Sequence, residues 1–163
     1  IIAGQATVAL EMIKDQPDLD CIISPVSGGG LLSGTLSYAK KVKPHIEIFG
    51  AEPIEANDTF ISLERGKIIP NKTTNTICDG LRAQVGTITY PIIAKFVEEI
   101  ITVSDCEVIF AMRMIWDRLK VIIEPSCSIT LAALIKSKSK FRNKKVGLIL
   151  SGGNVDLDHL PWK

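Results

Sequence analysis

Two alternating periodicities constrain the fold of this chain more than any other feature. Four short apolar runs, "CIIS" (21–24), "IEIFGA" (46–51), "EIITV" (99–103) and "KVGLIL" (145–150), have the length of buried strands and are bounded by turn or polar residues. Helical patterns lie between them. Residues 4–14 and Leu31 to Val42 carry amphipathic spacing, and Lys43-Pro44 stops the second pattern. Ser104 and Glu107 in "SDCE" have the spacing of a capping box. Beyond them Val108, Ile109, Met112, Ile115, Trp116 and Leu119 share one predicted helix face. Another helix is expected after Pro125, and residues 66–79 read as a long loop with a polar middle. Strands alternating with helices predict an α/β fold, a doubly wound, mostly parallel sheet covered on both faces.

At 163 residues and 46% hydrophobic, the chain suits one compact domain, read here as residues 1–163. A net charge of +1 without acidic or basic blocks disfavours nucleic acid and anionic membrane surfaces as partners. No apolar run approaches the roughly 20 residues that span a bilayer, and no signal peptide is visible. Cys21, Cys78, Cys106 and Cys127 form no C-x-x-C pair, so they read as reduced core thiols of a cytoplasmic protein. The opening at Ile1, already in helical pattern, reads as part of a longer protein.

Parallel sheets of this kind bind ligands beyond the carboxyl ends of their strands. Three unusual features follow predicted strands: Ser27-Gly28-Gly29-Gly30, Glu52, and "SGGN" from Ser151 to Asn154. A strand, a glycine loop and a helix start make an anion site, because loop amides and the helix dipole converge on one concavity. The bland alternative is a tight connection without a ligand. A dinucleotide is a second alternative, since Gly28-x-Gly30 opens a helix and Glu52 ends the next strand about 20 residues on, as that fingerprint requires. Ser33 at the third glycine position and Pro53 after the acid speak against it, but the spacing leaves it open.

Taken in order, "GQATVALEM", "SPVSGGGLLSG", "AEP", "CDG", "IIEPS" and "LSGGNVDL" resemble the later part of the serine racemase and serine/threonine dehydratase family. These are pyridoxal-phosphate (PLP) enzymes of tryptophan-synthase-β-like fold, and the resemblance makes this chain mostly their larger domain. It implies that Ser27, Gly28, Gly29, Gly30 and the amide of Leu31 hold the cofactor phosphate. It matches Ser151 to the partner of the pyridine nitrogen, Glu124 to a carboxylate beside the cofactor, and Gly80 to a backbone position near it. A serine is a neutral partner for that nitrogen and leaves the ring a weaker electron sink than an aspartate would. Taken alone, Ser151 also reads as a turn or cap serine.

In "EPIEAND", the carboxylates of Glu52 and Asp58 with the Ala56 carbonyl are hard oxygen donors suited to Mg²⁺ or Ca²⁺. On the residues alone Asp58 reads as a helix cap or surface acid. The resemblance implies a divalent cation there, Mg²⁺, Ca²⁺ or Mn²⁺, with Glu55 as an extra carboxylate nearby. It also matches Lys120 to a position associated with a nucleotide (ATP) effector, against a plain reading as a basic residue near a helix end. His45 and His159 read as surface residues.

No lysine sits in the S-x-K-x-R-G motif that carries the Schiff base in this family, so no catalytic residue is assigned within the chain. The expectation is therefore part of an active site, inactive alone. In the full-length, homodimeric enzyme it would act on L-serine or L-threonine, first as a serine racemase with dehydratase side activity. A dedicated threonine or serine dehydratase is the close alternative. A dinucleotide-dependent oxidoreductase and a catalytically silent binding module are the distant ones.

Overall fold

The structure, a computed structural model, describes residues 1–162. Four parallel strands, β1 (Cys21–Pro25), β2 (Glu47–Pro53), β3 (Glu99–Val103) and β4 (Val146–Leu148), form one sheet in the order β3-β2-β1-β4. Register pairs Ile22 with Ile48, Ile23 with Phe49, and Ile23 with Leu148 on the other side. β1 is buried at every position, as expected of a central parallel strand covered on both faces.

Alternation along the strands sorts side chains into two cores. Ile22, Ile48 and Ile100 face α1 (Ile2–Asp15), α2 (Gly30–Val42) and, through Ile93, α4 (Thr89–Phe96). Ile23, Phe49 and Ile101 face α5 (Asp105–Leu119) and α6 (Pro125–Lys136), meeting Val108, Ala111, Ile129 and Ala133. Each fully buried isoleucine removes enough apolar area from water to contribute about 1.5–3 kcal/mol. Phe141 closes the second core with its ring edge on Phe49, centroids 5.0 Å apart.

The expected strands are all present, but β4 ladders only over three residues, although Ile149 N still donates to Ile23 O at 3.1 Å. α5 opens with the expected capping box: Glu107 N donates to Ser104 Oγ, and Ser104 N donates to the Glu107 carboxylate at 2.7 Å. Its buried face is Val108, Ala111, Met112 and Ile115; Leu119, expected on that face, is 60% exposed in the last turn. Two helices were not anticipated. α3 (Asp58–Arg65) is two turns long, too short to show a period, and ends at Gly66 in the left-handed conformation. α4 carries Pro91 in its first turn, where the missing amide hydrogen costs nothing. Residues between Arg65 and Asp79 form the expected loop. Cys21, Cys78 and Cys127 are buried thiols, whereas Cys106 is exposed on α5 rather than in the core.

Candidate active site

The chain leaves β1 through Ser27-Gly28-Gly29 and enters α2 at Gly30. Gly29 has φ 84, a left-handed conformation that glycine alone adopts without strain. A Cβ there would also lie 2.7 Å from Thr89 Oγ1 and 2.9 Å from Ile93, so the loop has no room for a side chain on that side. The first amides of a helix have no partner within it, and no side chain caps α2. The contrast with α5 is direct, because there Ser104 and Glu107 satisfy those groups. The amides of Gly30 and Leu31 lie at this uncapped start with the positive end of the helix dipole behind them, an arrangement that suits an anion. Ser27 Oγ is turned to the facing loop, donating to Ala83 O at 3.2 Å and accepting from Ala83 N at 3.1 Å.

From β1 the chain moves outward to β2 and β3, then crosses back to β4 on the other side, so the strand order reverses between β1 and β4. Ligand crevices of open parallel sheets lie at such a reversal, beyond the strands' carboxyl ends. A cavity of about 170 Å³ lies there, lined by Ser27, Gly28, Gly29, Gly30, Leu31, Gly80 and Ser151, with Pro25 and Leu81. Seven expected site residues from three distant segments thus share one concavity. Glu124 stands behind the Ser151 loop. Its carboxylate accepts from Asn154 N at 2.8 Å, and its own amide donates to Gly152 O at 3.2 Å. A Cβ on Gly152 would sit 2.6 Å from that carboxylate, so any side chain there would displace it.

An uncapped helix start, a cradle that a Cβ would fill and a neutral serine across the cavity suit a phosphorylated ring such as PLP. Comparison with known proteins decides the class. The family model described as "Pyridoxal-phosphate dependent enzyme" matches residues 1–152. The chain belongs to this family. Among curated relatives of this PLP-enzyme chain, serine racemase of Dictyostelium discoideum is 49% identical over 165 residues, covering 98% of this chain and 51% of that protein. Among solved structures, maize serine racemase superposes with a TM-score of 0.93 at 46% identity, over 96% of this chain and 49% of that one. A threonine deaminase from T.th. superposes at 0.90 with 35% identity, over 95% and 58%. The chain thus spans about half the length of these relatives. Its sheet is the α/β architecture of tryptophan-synthase-β-like PLP enzymes.

The third expected feature, Glu52, does not join the cavity. It is fully buried inside β2 and accepts hydrogen bonds from Thr59 N at 3.1 Å and Phe60 N at 3.0 Å, in the first turn of α3. Burial pushes its carboxyl up to about 8, against the pull of the Phe60 amide. So held, it is not placed to grip a ribose, which removes the geometric basis of the dinucleotide alternative. Asp58 is no surface acid: it is 1% exposed, accepting from Val85 N at 2.7 Å and Asn71 Nδ2 at 2.8 Å, and burial raises its pKa too. Ala56 is buried between them in sequence, and Glu55 is exposed. No cluster of three or more His, Cys, Asp or Glu forms among the described residues, so a cation would depend on two carboxylates, a carbonyl and water.

Lys120 is the left-handed C-cap of α5, with φ 58. His45 is exposed, and His159 is exposed with Nδ1 2.7 Å from Asp156 Oδ2. Three contributors escaped the sequence. Ser126 Oγ accepts from Gly80 N at 2.9 Å and donates to Asp79 Oδ1 at 3.3 Å, fixing the "CDG" turn at the cavity edge. Ser126 and Asp79 had a signal, since they lie inside the quoted "IIEPS" and "CDG", although no role was given to either. Thr89 lies behind the glycine loop and had none. No helix among the described residues is long and apolar enough to cross a membrane.

Proposed function

We propose that this chain is the cofactor-holding part of a PLP-dependent serine racemase, interconverting L-serine and D-serine, with β-elimination of serine to pyruvate and ammonia as a side reaction. One observation carries the reading: the uncapped start of α2 and Ser151 face the same cavity across the reversal point of the sheet. The amides from Gly28 to Leu31 bind the phosphate dianion, which needs no lysine where a helix start supplies the field. PLP, when bound, supplies an electron-accepting ring that eases removal of the amino acid's Cα proton. The Ser151 hydroxyl meets the pyridine nitrogen as a neutral hydrogen-bond partner and adds no negative charge there. Glu124 keeps Ser151 in place through the Asn154 amide and the Gly152 carbonyl. The lysine that anchors the cofactor and the groups that move the Cα proton belong to the remainder of the enzyme.

A dedicated threonine or serine dehydratase is the second reading, favoured by the threonine deaminase superposition. The deciding experiment assays the full-length enzyme with L-serine and L-threonine for D-serine, pyruvate and 2-oxobutyrate. D-serine formation supports the racemase, while keto acids without D-serine from either substrate sink it. The 163-residue chain assayed alone should turn over neither substrate.

A divalent cation, Mg²⁺, Ca²⁺ or Mn²⁺, belongs to the same reading. Two buried carboxylates lie close enough for Asp58 to disfavour ionisation of Glu52, and no lysine or arginine pairs with either among the described residues. The Thr59 hydroxyl, fully buried beside Glu52, finds no partner in hydrogen-bond geometry. Each carboxylate oxygen accepts one hydrogen bond and keeps a lone pair for a cation. A cytoplasmic location fits four unpaired thiols. An ATP effector at Lys120 and a homodimer rest on the family resemblance; nucleotide titration of Lys120→Ala and light scattering of the full-length protein test them.

A further inference from the structure

Thr89 takes no part in lining the cavity, yet it makes the closest contacts to the back of the glycine loop. It is 8% exposed, at the first position of α4. Its Oγ1 is 2.7 Å from Gly28 O and 3.1 Å from Gly86 O, and it accepts from Gly86 N at 3.0 Å. A hydroxyl has one hydrogen to give, and the shorter contact assigns it to Gly28 O. Gly86 N also reaches Gly28 O at 3.2 Å, so the Gly28 carbonyl is held from behind by two donors. The main chain is tied in as well, since Ser33 Oγ of α2 donates to Thr89 O at 3.3 Å.

The consequence follows from peptide geometry. In a trans peptide the C=O of one residue and the N–H of the next point in opposite directions. Drawing Gly28 O back toward Thr89 therefore turns the Gly29 N–H away from Thr89, toward the cavity side of the loop. The next peptide behaves likewise: Gly29 O accepts from Ser33 N at 2.9 Å along α2, which sends the Gly30 N–H the opposite way, out of the helix start. Without an acceptor-facing hydroxyl behind it, the Gly28–Gly29 peptide could rotate, because glycines on both sides tolerate the alternative. A rotated peptide would present a carbonyl oxygen to an anion.

We propose that Thr89 is a positioning residue of the phosphate cradle, its hydroxyl fixing the Gly28–Gly29 peptide so that the Gly29 amide faces the anion. The proposal rests on the reading that the loop holds the PLP phosphate. It gives Thr89 an influence on the phosphate alone, and none on the ring.

The test titrates full-length enzyme with PLP and with pyridoxal, which lacks the phosphate, using Thr89→Val, Thr89→Ser and Gly29→Val. Valine keeps the shape of threonine and removes the hydroxyl. Losing one amide contact to a dianion should raise the PLP Kd about tenfold, leave the pyridoxal Kd at the parental value, and be reversed by serine. Equal weakening of both ligands would make Thr89 a packing residue and overturn the proposal. So would parental PLP affinity in Thr89→Val while Gly29→Val loses it. Parental affinity in a folded Gly29→Val overturns the cradle itself, and the proposal with it. Thr89→Ala runs alongside in case valine prevents folding, and an unchanged preference of that variant for PLP over pyridoxal refutes the proposal equally.

Discussion

The Glu124 carboxylate accepts a hydrogen bond from the Asn154 amide at 2.8 Å, joining the start of α6 to the loop after β4. Glu124 is thereby the N-cap residue of α6 and the anchor of the opposite wall of the cavity. Its side chain does not cap its own helix, which leaves it for the loop.

Replacing Glu124 with alanine should loosen the Ser151 loop more than it destabilises the fold. One partly exposed hydrogen bond contributes about 1 kcal/mol, so the expected outcome is a several-fold weaker PLP Kd with little change in Tm. A Tm loss without any change in cofactor titration would make Glu124 purely structural. Gly152→Ala is the harsher companion. Its methyl would meet the Glu124 carboxylate at 2.6 Å and push it off the Asn154 amide, so the PLP Kd should weaken at least as much as in Glu124→Ala.

Ser104→Ala should cost about 1 kcal/mol, because it removes the acceptor that satisfies Glu107 N at the start of α5. Denaturant unfolding of the full-length enzyme reads this directly. Cofactor affinity should stay parental, since α5 does not border the cavity.

Adding Mg²⁺ or Ca²⁺ should raise the thermal stability of the full-length enzyme by mass action, about 2.7 kcal/mol at one hundred times Kd. Asp58→Ala removes a donor and should abolish most of the gain. A variant that keeps the whole metal-induced shift places the cation somewhere other than Glu52 and Asp58.

The thiols should separate by reactivity. Burial pushes Cys21 up to about 11 and Cys78 up to about 12, and raises Cys127 as well. Cys21 and Cys78 stay protonated through about pH 9, and all three of these thiols are buried, whereas Cys106 is exposed. Peptide mapping after iodoacetamide treatment of the native protein should find Cys106 modified first among the four. Modification of Cys78 at a comparable rate would mean that its surroundings open in solution.

What could be read in the sequence was local. The strands were legible because parallel strands buried on both faces give unbroken apolar runs, as in "CIIS". The capping box was legible because its two partners are three residues apart. α3 stayed hidden in two turns, and Pro91 disguised the start of α4. The face assigned to α5 ran one turn too far, since Leu119 fits the period but nothing packs over the helix end. In the site, the glycines and Ser151 announced themselves by type and position. Ser126 sat inside a quoted motif but its partner did not show, and Thr89 gave no sign at all, because each acts on a backbone group brought near only by the fold: Gly80 for one, Gly28 for the other. Glu52 was legible in place only, for a related reason. The strand end foretold its place, but whether its carboxylate would meet solvent or the amides of α3 depended on a helix with no visible signature.

The pairing of β1 with β4, in which Cys21 lies opposite Val146, carries a cost in time. The two walls of the cavity follow strands that are widely separated in sequence, and contacts of that kind form late, after local helices and the nearer β1–β2 pair. A nascent or partly refolded chain would hold the glycine loop and its helix well before Ser151 arrives. On the proposed reading, the wall assigned to the phosphate would therefore be in place before the wall assigned to the ring.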